Sequence, residues 1–429
     1  MIENVIPGAL QTFAPGTASP IDGAPTLPSL ATFDPKVYPP LDTIPPTDTD
    51  QVKEWVDAID WSTIPQIPPT NSKACDDPKN QQALAEAGPN GRCWWSCGQC
   101  LRDVDITTCA NQMDYGHGYD DGPVFYTNKI LSYLNHKGYK ATFYVVGSRV
   151  ISYPQIVQYQ YMTGHELSVH TWSHAAIYGK PELNLGLTSL TNEQIVAELG
   201  WTRKAIKDIT GVSPTTFRPP YGDIDDRVRA IGLAMGMMPI VWTSQPNPNG
   251  GEAIQWDSGD WKVHGNQTDA PSNQANFNKI LDMSSNLDHG VVVLQHDQYV
   301  EEVDLSIGFT LPYLEAHSPK FNIKPVMQCQ NRPLADAFEE TNTNKDNPAL
   351  TSDEPVQNRR TNLGYPASHP AASVSVTLSL STASNTGTAT HTRSATQTPP
   401  NGGNSGAASR TVGSASLAAV VGWATLMLL

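Results

Sequence analysis

The chain has 429 residues, a formal charge of −15, 39% hydrophobic residues and 16% charged residues. That is enough apolar material for one large domain or two smaller ones with tails. Clustered Lys and Arg, which phosphate binding needs, are missing, so nucleic acid is excluded as a partner; a neutral or cationic polymer is tolerated.

Residues 1–70 are rich in Pro, Thr and Asp, with Pro39-Pro40, Pro45-Pro46 and Pro68-Pro69. They read as an extended or disordered leader, with a short helix over Val52 to Ile59. Residues 71–110 form a cysteine-rich lead-in with Cys75, Cys93, Cys97, Cys100 and Cys109; Cys329 lies far downstream. The even count suits three disulfides in an oxidising compartment, with the pairing open. A zinc knuckle on Cys93, Cys97 and Cys100 is disfavoured, because the spacing is irregular and no second Cys-x2-Cys pair follows.

Between residues 111 and 330, strand and helix patterns alternate. Ala141 to Gly147 (ATFYVVG) reads as a buried strand, and Glu166 to His170 (ELSVH) alternates polar and apolar. Thr215 to Arg218, Pro239 to Thr243 and Gly290 to Gln295 are further strands. Thr127 to Lys137 carries Ile130, Leu131 and Leu134 on one helical face. A capping box at Thr191 to Gln194 opens a helix bearing Ile195, Leu199 and Ile206, and Gly211 ends it. Asp225 to Ala234 is another helix, with Val228 and Ile231 on one face. Such units predict a parallel sheet or barrel, with active residues at the C-terminal ends of strands. His170, Arg218 and His296 fall there. Asn266-Gln267-Thr268 is the only N-glycosylation sequon.

Residues 331–416 read as a linker and stalk, Ser/Thr-rich from about residue 365, of the kind that carries O-glycans. Leu417 to Leu429 is an apolar run of thirteen residues. It is shorter than the roughly 20 residues that span a bilayer. The spacer Ala407 to Ser416 and the small residues Asn404, Ser405 and Gly406 precede it. Together they form a glycosylphosphatidylinositol signal, with Asn404 as the attachment residue. This places the protein outside the cell, in the wall or on the outer membrane face. Met1 to Pro20 has neither the basic start nor the apolar stretch of a secretory leader, and an incomplete N-terminus reconciles the two ends.

Chemistry concentrates in five segments. Asp120 and Asp121 are adjacent carboxylates in a Gly-flanked turn, and a cation would relieve their repulsion. His170 and His174 are four apart; on one helical turn both rings would face the same way, and neutral imidazoles bind zinc or cobalt. Phe217-Arg218-Pro219-Pro220-Tyr221-Gly222 is a stiff loop whose Arg218 can clamp a carboxylate and whose Tyr221 amide can donate to an oxyanion. Asp257-Ser258-Gly259-Asp260-Trp261 sets carboxylates beside an aromatic wall. Leu294-Gln295-His296-Asp297 ends an apolar strand in a histidine, which a bonded carboxylate would keep protonated as a general acid. Taken singly, each segment has an ordinary explanation as a solvated turn, a surface His pair or a rigid loop.

In this order the five segments resemble the polysaccharide deacetylases of the NodB-homology type, carbohydrate esterase family four. The matches are Asp120 to Pro123, His170 to His174, Arg218 to Gly222, Asp257 to Trp261 and Leu294 to His296, and the likeness covers roughly residues 75–330. The cysteine-rich lead-in and anchored tail are similar to those of fungal chitin deacetylases. The resemblance implies a deformed (β/α) barrel and one divalent ion, zinc or cobalt, on Asp121, His170 and His174. It implies that Asp120 is the base for the attacking water, oriented by Arg218. The Tyr221 amide would stabilise the oxyanion, and Asp260 would tune His296, the acid for the leaving amine. Trp261 and Leu294 would wall the acetyl methyl. Gly118 stands where the family usually has Thr, and Ala175 where Pro is common. The expected activity is deacetylation of β-1,4-linked N-acetylglucosamine polymers, chitin to chitosan and acetate, by a monomer. The alternatives are another wall-glycan deacetylase or O-acetyl esterase with the same site, and a wall-binding protein without turnover.

Overall fold

The computed structural model describes residues 10–174, 184–248 and 250–343. The linker beyond residue 343, the apolar tail, Asn404 and Ala175 lie outside the described residues. Among the described residues no helix is long and apolar enough to cross a membrane.

Eleven short strands carry the architecture: β1 (Thr108–Cys109), β2 (Asp114–Gly116), β3 (Gly118–Asp120), β4 (Thr142–Val145), β5 (Glu166–Val169), β6 (Thr216–Phe217), β7 (Met238–Pro239), β8 (Ser244–Gln245), β9 (Ile254–Gln255), β10 (Gly290–Val292) and β11 (Asn322–Lys324). Strands β3 to β7 form a parallel sheet in chain order. Strand β10 lies between β1 and β2, and β2 also pairs with β11. The two sheets join around the ring. Thr243 N donates to Val292 O at 2.9 Å, and Asp120 N donates to Gln295 O at 2.9 Å. The result is a deformed (β/α) barrel, as the family resemblance implies, built on the parallel sheet that the alternating pattern predicts. Strands β4 and β5 are buried at every residue, because helices cover the parallel sheet.

The helices are α1 (Asp50–Asp57), α2 (Gln81–Ala85), α3 (Trp95–Gly98), α4 (Thr127–Lys137), α5 (Gly147–Ser152), α6 (Pro154–Met162), α7 (Asn192–Thr210), α8 (Asp226–Ala234), α9 (Asp260–His264), α10 (Ala270–Met283), α11 (Val300–Leu305), α12 (Leu311–Ala316) and α13 (Val326–Cys329). The predicted capping box opens α7: Thr191 accepts from Gln194 N, and Gln194 accepts from Thr191 N. Gly211, at φ 87°, ends it. Asp225 caps α8 by accepting from Val228 N at 3.0 Å.

Two boundaries differ from the expectation. The leader is neither extended nor disordered from residue 10 onward. It wraps the barrel through scattered apolar anchors too sparse to show a period. Tyr38 stacks on Trp172 at 5.9 Å, Trp55 meets Trp201 edge-on at 5.3 Å, and Val52 is fully buried. The folded part also continues past residue 330. Phe338 is buried, and Glu339 N donates to Ser213 O at 2.9 Å.

The six cysteines form the three disulfides that their even count predicts: Cys75–Cys97, Cys93–Cys100 and Cys109–Cys329. The first two clamp the lead-in around Trp95. The third ties the start of the barrel to its last elements.

Candidate active site

The strands deliver the site residues to one end of the barrel. Asp120 closes β3, His170 follows β5, Arg218 follows β6, and His296 follows the β10 strand. An isolated parallel bridge joins Asp120 to His296, and another joins Asp257 to Leu294. Asp120, Asp121, His170, His174, Tyr221, Trp261, Leu294 and His296 line one cavity of about 950 Å³. Arg218 and Asp260 stand behind it, both buried.

Asp121, His170 and His174 converge. Asp121 Oδ1 lies 3.3 Å from His170 Nε2 and 3.1 Å from His174 Nε2. The His170 Nδ1 donates to Arg218 O at 2.8 Å, which leaves Nε2 as a lone pair facing the carboxylate. The buried Asp121 Oδ1 has no hydrogen-bond donor. One oxygen and two nitrogens, all within 4.8 Å of each other, fit a divalent ion of the zinc or cobalt type. Burial pushes the Asp121 carboxyl up, but the His174 and His170 rings, when protonated, outweigh it and hold it well below its usual value. Burial lowers the His174 pKa, partly offset by Asp121; a neutral ring is the ligand form.

The two histidines do not share a helical turn, as their spacing had suggested. A loop carries them, with Thr171 at φ 63° and His174 at φ 52°. Those left-handed residues turn the chain so that His174 swings back onto Asp121. Glu198 on α7 secures the loop from behind. It accepts from Trp172 N at 2.7 Å, Ser173 N at 2.9 Å and Ser173 Oγ at 2.5 Å. Burial pushes its carboxyl up to about 7, against those donors. Trp172 Nε1 donates to Pro40 O at 3.0 Å, so the leader also braces this loop.

Asp120 is set apart from Asp121. Arg218 Nη1 donates to Asp120 Oδ1 at 2.8 Å, and Asp120 Oδ2 stays 3.8 Å from His170 Nε2. Arg218 is itself fixed, with Nη2 donating to Tyr144 Oη at 3.0 Å and its guanidinium 3.7 Å from the Tyr144 ring centre. Sequence alone does not single out Tyr144, because a tyrosine in a buried strand looks like core. Its ring explains Gly118: a Cβ there would lie 2.7 Å from Tyr144 Cε2.

Tyr221 sits in a tight turn at φ 61°, a conformation that costs a non-glycine residue roughly 1–2 kcal/mol. Its ring packs on His174 at 4.9 Å. Gly222 next to it is pressed by the lead-in, since a Cβ would lie 2.2 Å from the Trp95 ring. Across the cleft, Asp260 grips His296 twice: His296 N donates to Oδ2 and Nδ1 donates to Oδ1, both at 2.8 Å. Burial would lower the His296 pKa, but Asp260 outweighs it and holds the ring well above its usual value. Trp261 Nε1 reaches Asp257 Oδ2 at 3.3 Å, which fixes the indole on the cavity wall. Asn266 is exposed just past α9 and takes no part in the site.

Residues 110–240 match the family model described as Polysaccharide deacetylase. Chitin deacetylase 1 of Cryptococcus neoformans var. grubii is 43% identical over 342 residues, which cover 80% of this chain and 68% of that protein. The chain belongs to the polysaccharide deacetylase family. A chitin deacetylase of Amylomyces rouxii is 31% identical over 249 residues, covering 56% of this chain and 53% of that protein. This polysaccharide deacetylase is also similar to the solved chitin deacetylase of the fungal pathogen Colletotrichum lindemuthianum, with 20% identity, a TM-score of 0.45 and coverage of 56% of this chain and 97% of that one. The family match contains Asp120 through Gly222 and ends before Asp260 and His296. For those two residues the pairing across the cleft is therefore the main argument.

Proposed function

We propose that the chain removes N-acetyl groups from β-1,4-linked N-acetylglucosamine polymers, chitin foremost, with one divalent ion, zinc or cobalt. One observation carries this reading. A carboxylate clamped by arginine stands beside an Asp-His-His cluster, and a histidine held protonated by a second carboxylate faces both from the same cavity. The relatives named chitin deacetylases support the choice of polymer.

A bound ion supplies Lewis-acid polarisation and acidifies water. The chain's own residues do the rest. Asp120 takes the proton of the attacking water through Oδ2, while Arg218 holds Oδ1. The Tyr221 amide donates to the oxyanion that develops on the acetyl carbonyl. His296 keeps Nδ1–H on Asp260, so its Nε2 proton goes to the departing amine, which leaves poorly without it. Trp261 and Leu294 shield the acetyl methyl from water. A place at the cell wall goes with this reading, and three disulfides suit such an oxidising location.

The test is acetate release from chitin oligosaccharides and from O-acetylated glycans, before and after chelation and with zinc or cobalt added back. The expected result is release from the N-acetyl substrates only, lost on chelation and restored by metal. Release from the O-acetylated glycans alone would replace the reading with an esterase.

Asp260→Asn gives a second expected outcome. The raised His296 pKa means that the acid stays protonated as pH rises and activity falls only through that raised value. Asparagine removes the largest contribution opposing burial and leaves only the weaker pull of Asp121 and Glu302, so the His296 pKa drops and the alkaline limb moves to lower pH. The loss is expected to reach roughly a hundredfold on the alkaline side and to be smaller near pH 5. A kcat–pH profile with an unmoved alkaline limb would refute the pairing as the source of the acid.

A further inference from the structure

Helix α9 does more than hold the acid. Asp260 at its start grips His296, and Trp261 next to it is 39% exposed. His264, three residues beyond Trp261, lies on the same helical face. The His264 ring stacks on Tyr299, with centroids 3.5 Å apart and planes within 7°. Both residues line the cavity that contains Asp120, Asp121 and His296.

The pair is braced. His264 Nδ1 lies 3.4 Å from Glu301 Oε2, and Tyr299 N donates to Glu302 Oε2 at 2.9 Å. The His264 side chain is nevertheless 40% exposed, so the stack buries little and does not serve the core. What remains is a flat aromatic surface on the cleft wall, one helical turn beyond the indole beside the acid. A pyranose ring has one face of C–H bonds that packs on such a plane, with hydroxyls around its rim. Glu252, Gln255 and Lys279 line the same cavity and can meet those hydroxyls.

We propose that the stacked His264–Tyr299 pair is the platform for an outer sugar ring, further along the polymer than the residue being deacetylated, and that it sets the preference for oligosaccharide length. This rests on the deacetylase reading. The platform does not reach the scissile amide, so it binds ground state and transition state alike and acts on KM rather than kcat.

The test is kcat and KM on N-acetylglucosamine dimer through pentamer, for the wild type, His264→Ala and His264→Phe. His264→Ala is expected to raise KM roughly three- to tenfold for the tetramer and pentamer, with the dimer and every kcat unchanged. His264→Phe keeps a flat ring and is expected to restore the wild-type KM. An equal rise at all lengths, or none at any length, overturns the platform alone. A wild type that releases no acetate from any oligomer overturns the deacetylase reading, and the platform with it.

Discussion

Asp120→Asn is expected to lower kcat by about a thousandfold or more while the protein still binds one equivalent of zinc. Asparagine matches aspartate in shape, so the barrel end and its packing are kept. Its amide cannot accept the proton of water. The effect should appear in kcat, because Asp120 is not among the three groups that converge on the metal position. Asp121 Oδ1 sits 3.1 to 3.3 Å from both imidazole Nε2 atoms. Asp120 Oδ2 is 3.8 Å from one of them and has its other oxygen on Arg218. The measurement is kcat beside metal content after dialysis. An active variant sinks the base assignment, and a variant without metal makes Asp120 a ligand.

The separation of these two neighbouring aspartates shows what the sequence could and could not reveal. The five segments were legible because each is short, local and placed at a strand end, where a parallel barrel gathers its active residues. Helix limits were legible from caps, as at Thr191 and Gly211. Three things were not. The His170–His174 spacing implied a helical turn, yet positive φ at Thr171 and His174 makes it a loop, and a β-branched residue such as Thr171 does not announce such a conformation. Glu198 left one signal, a charge on the apolar face of α7 one turn beyond Ile195, but its loop partner Trp172 lies 26 residues away in sequence. The leader looked disordered because its anchors, Tyr38, Val52 and Trp55, follow no period. They pack only once the barrel offers Trp172 and Trp201 as surfaces.

The loop's dependence on so many supports shapes the second large effect. His170→Ala is expected to abolish both metal binding and activity, with metal affinity falling by at least about a hundredfold, the upper range for merely losing a group that orients a ligand. Two losses coincide. The Nε2 donor disappears from a set of three, and the Nδ1 bond to Arg218 O disappears with it. That second bond links the metal cluster to the residue that clamps Asp120, so even a weakly refilled site would face a less well-placed base. The fold should survive, because Glu198, Trp172 and Pro40 still hold the loop. Circular dichroism should therefore match the wild type while bound zinc and acetate release vanish. Full zinc content in the variant would refute the ligand assignment. Zinc loss together with an unfolded spectrum would instead show that the metal site is part of what folds the loop.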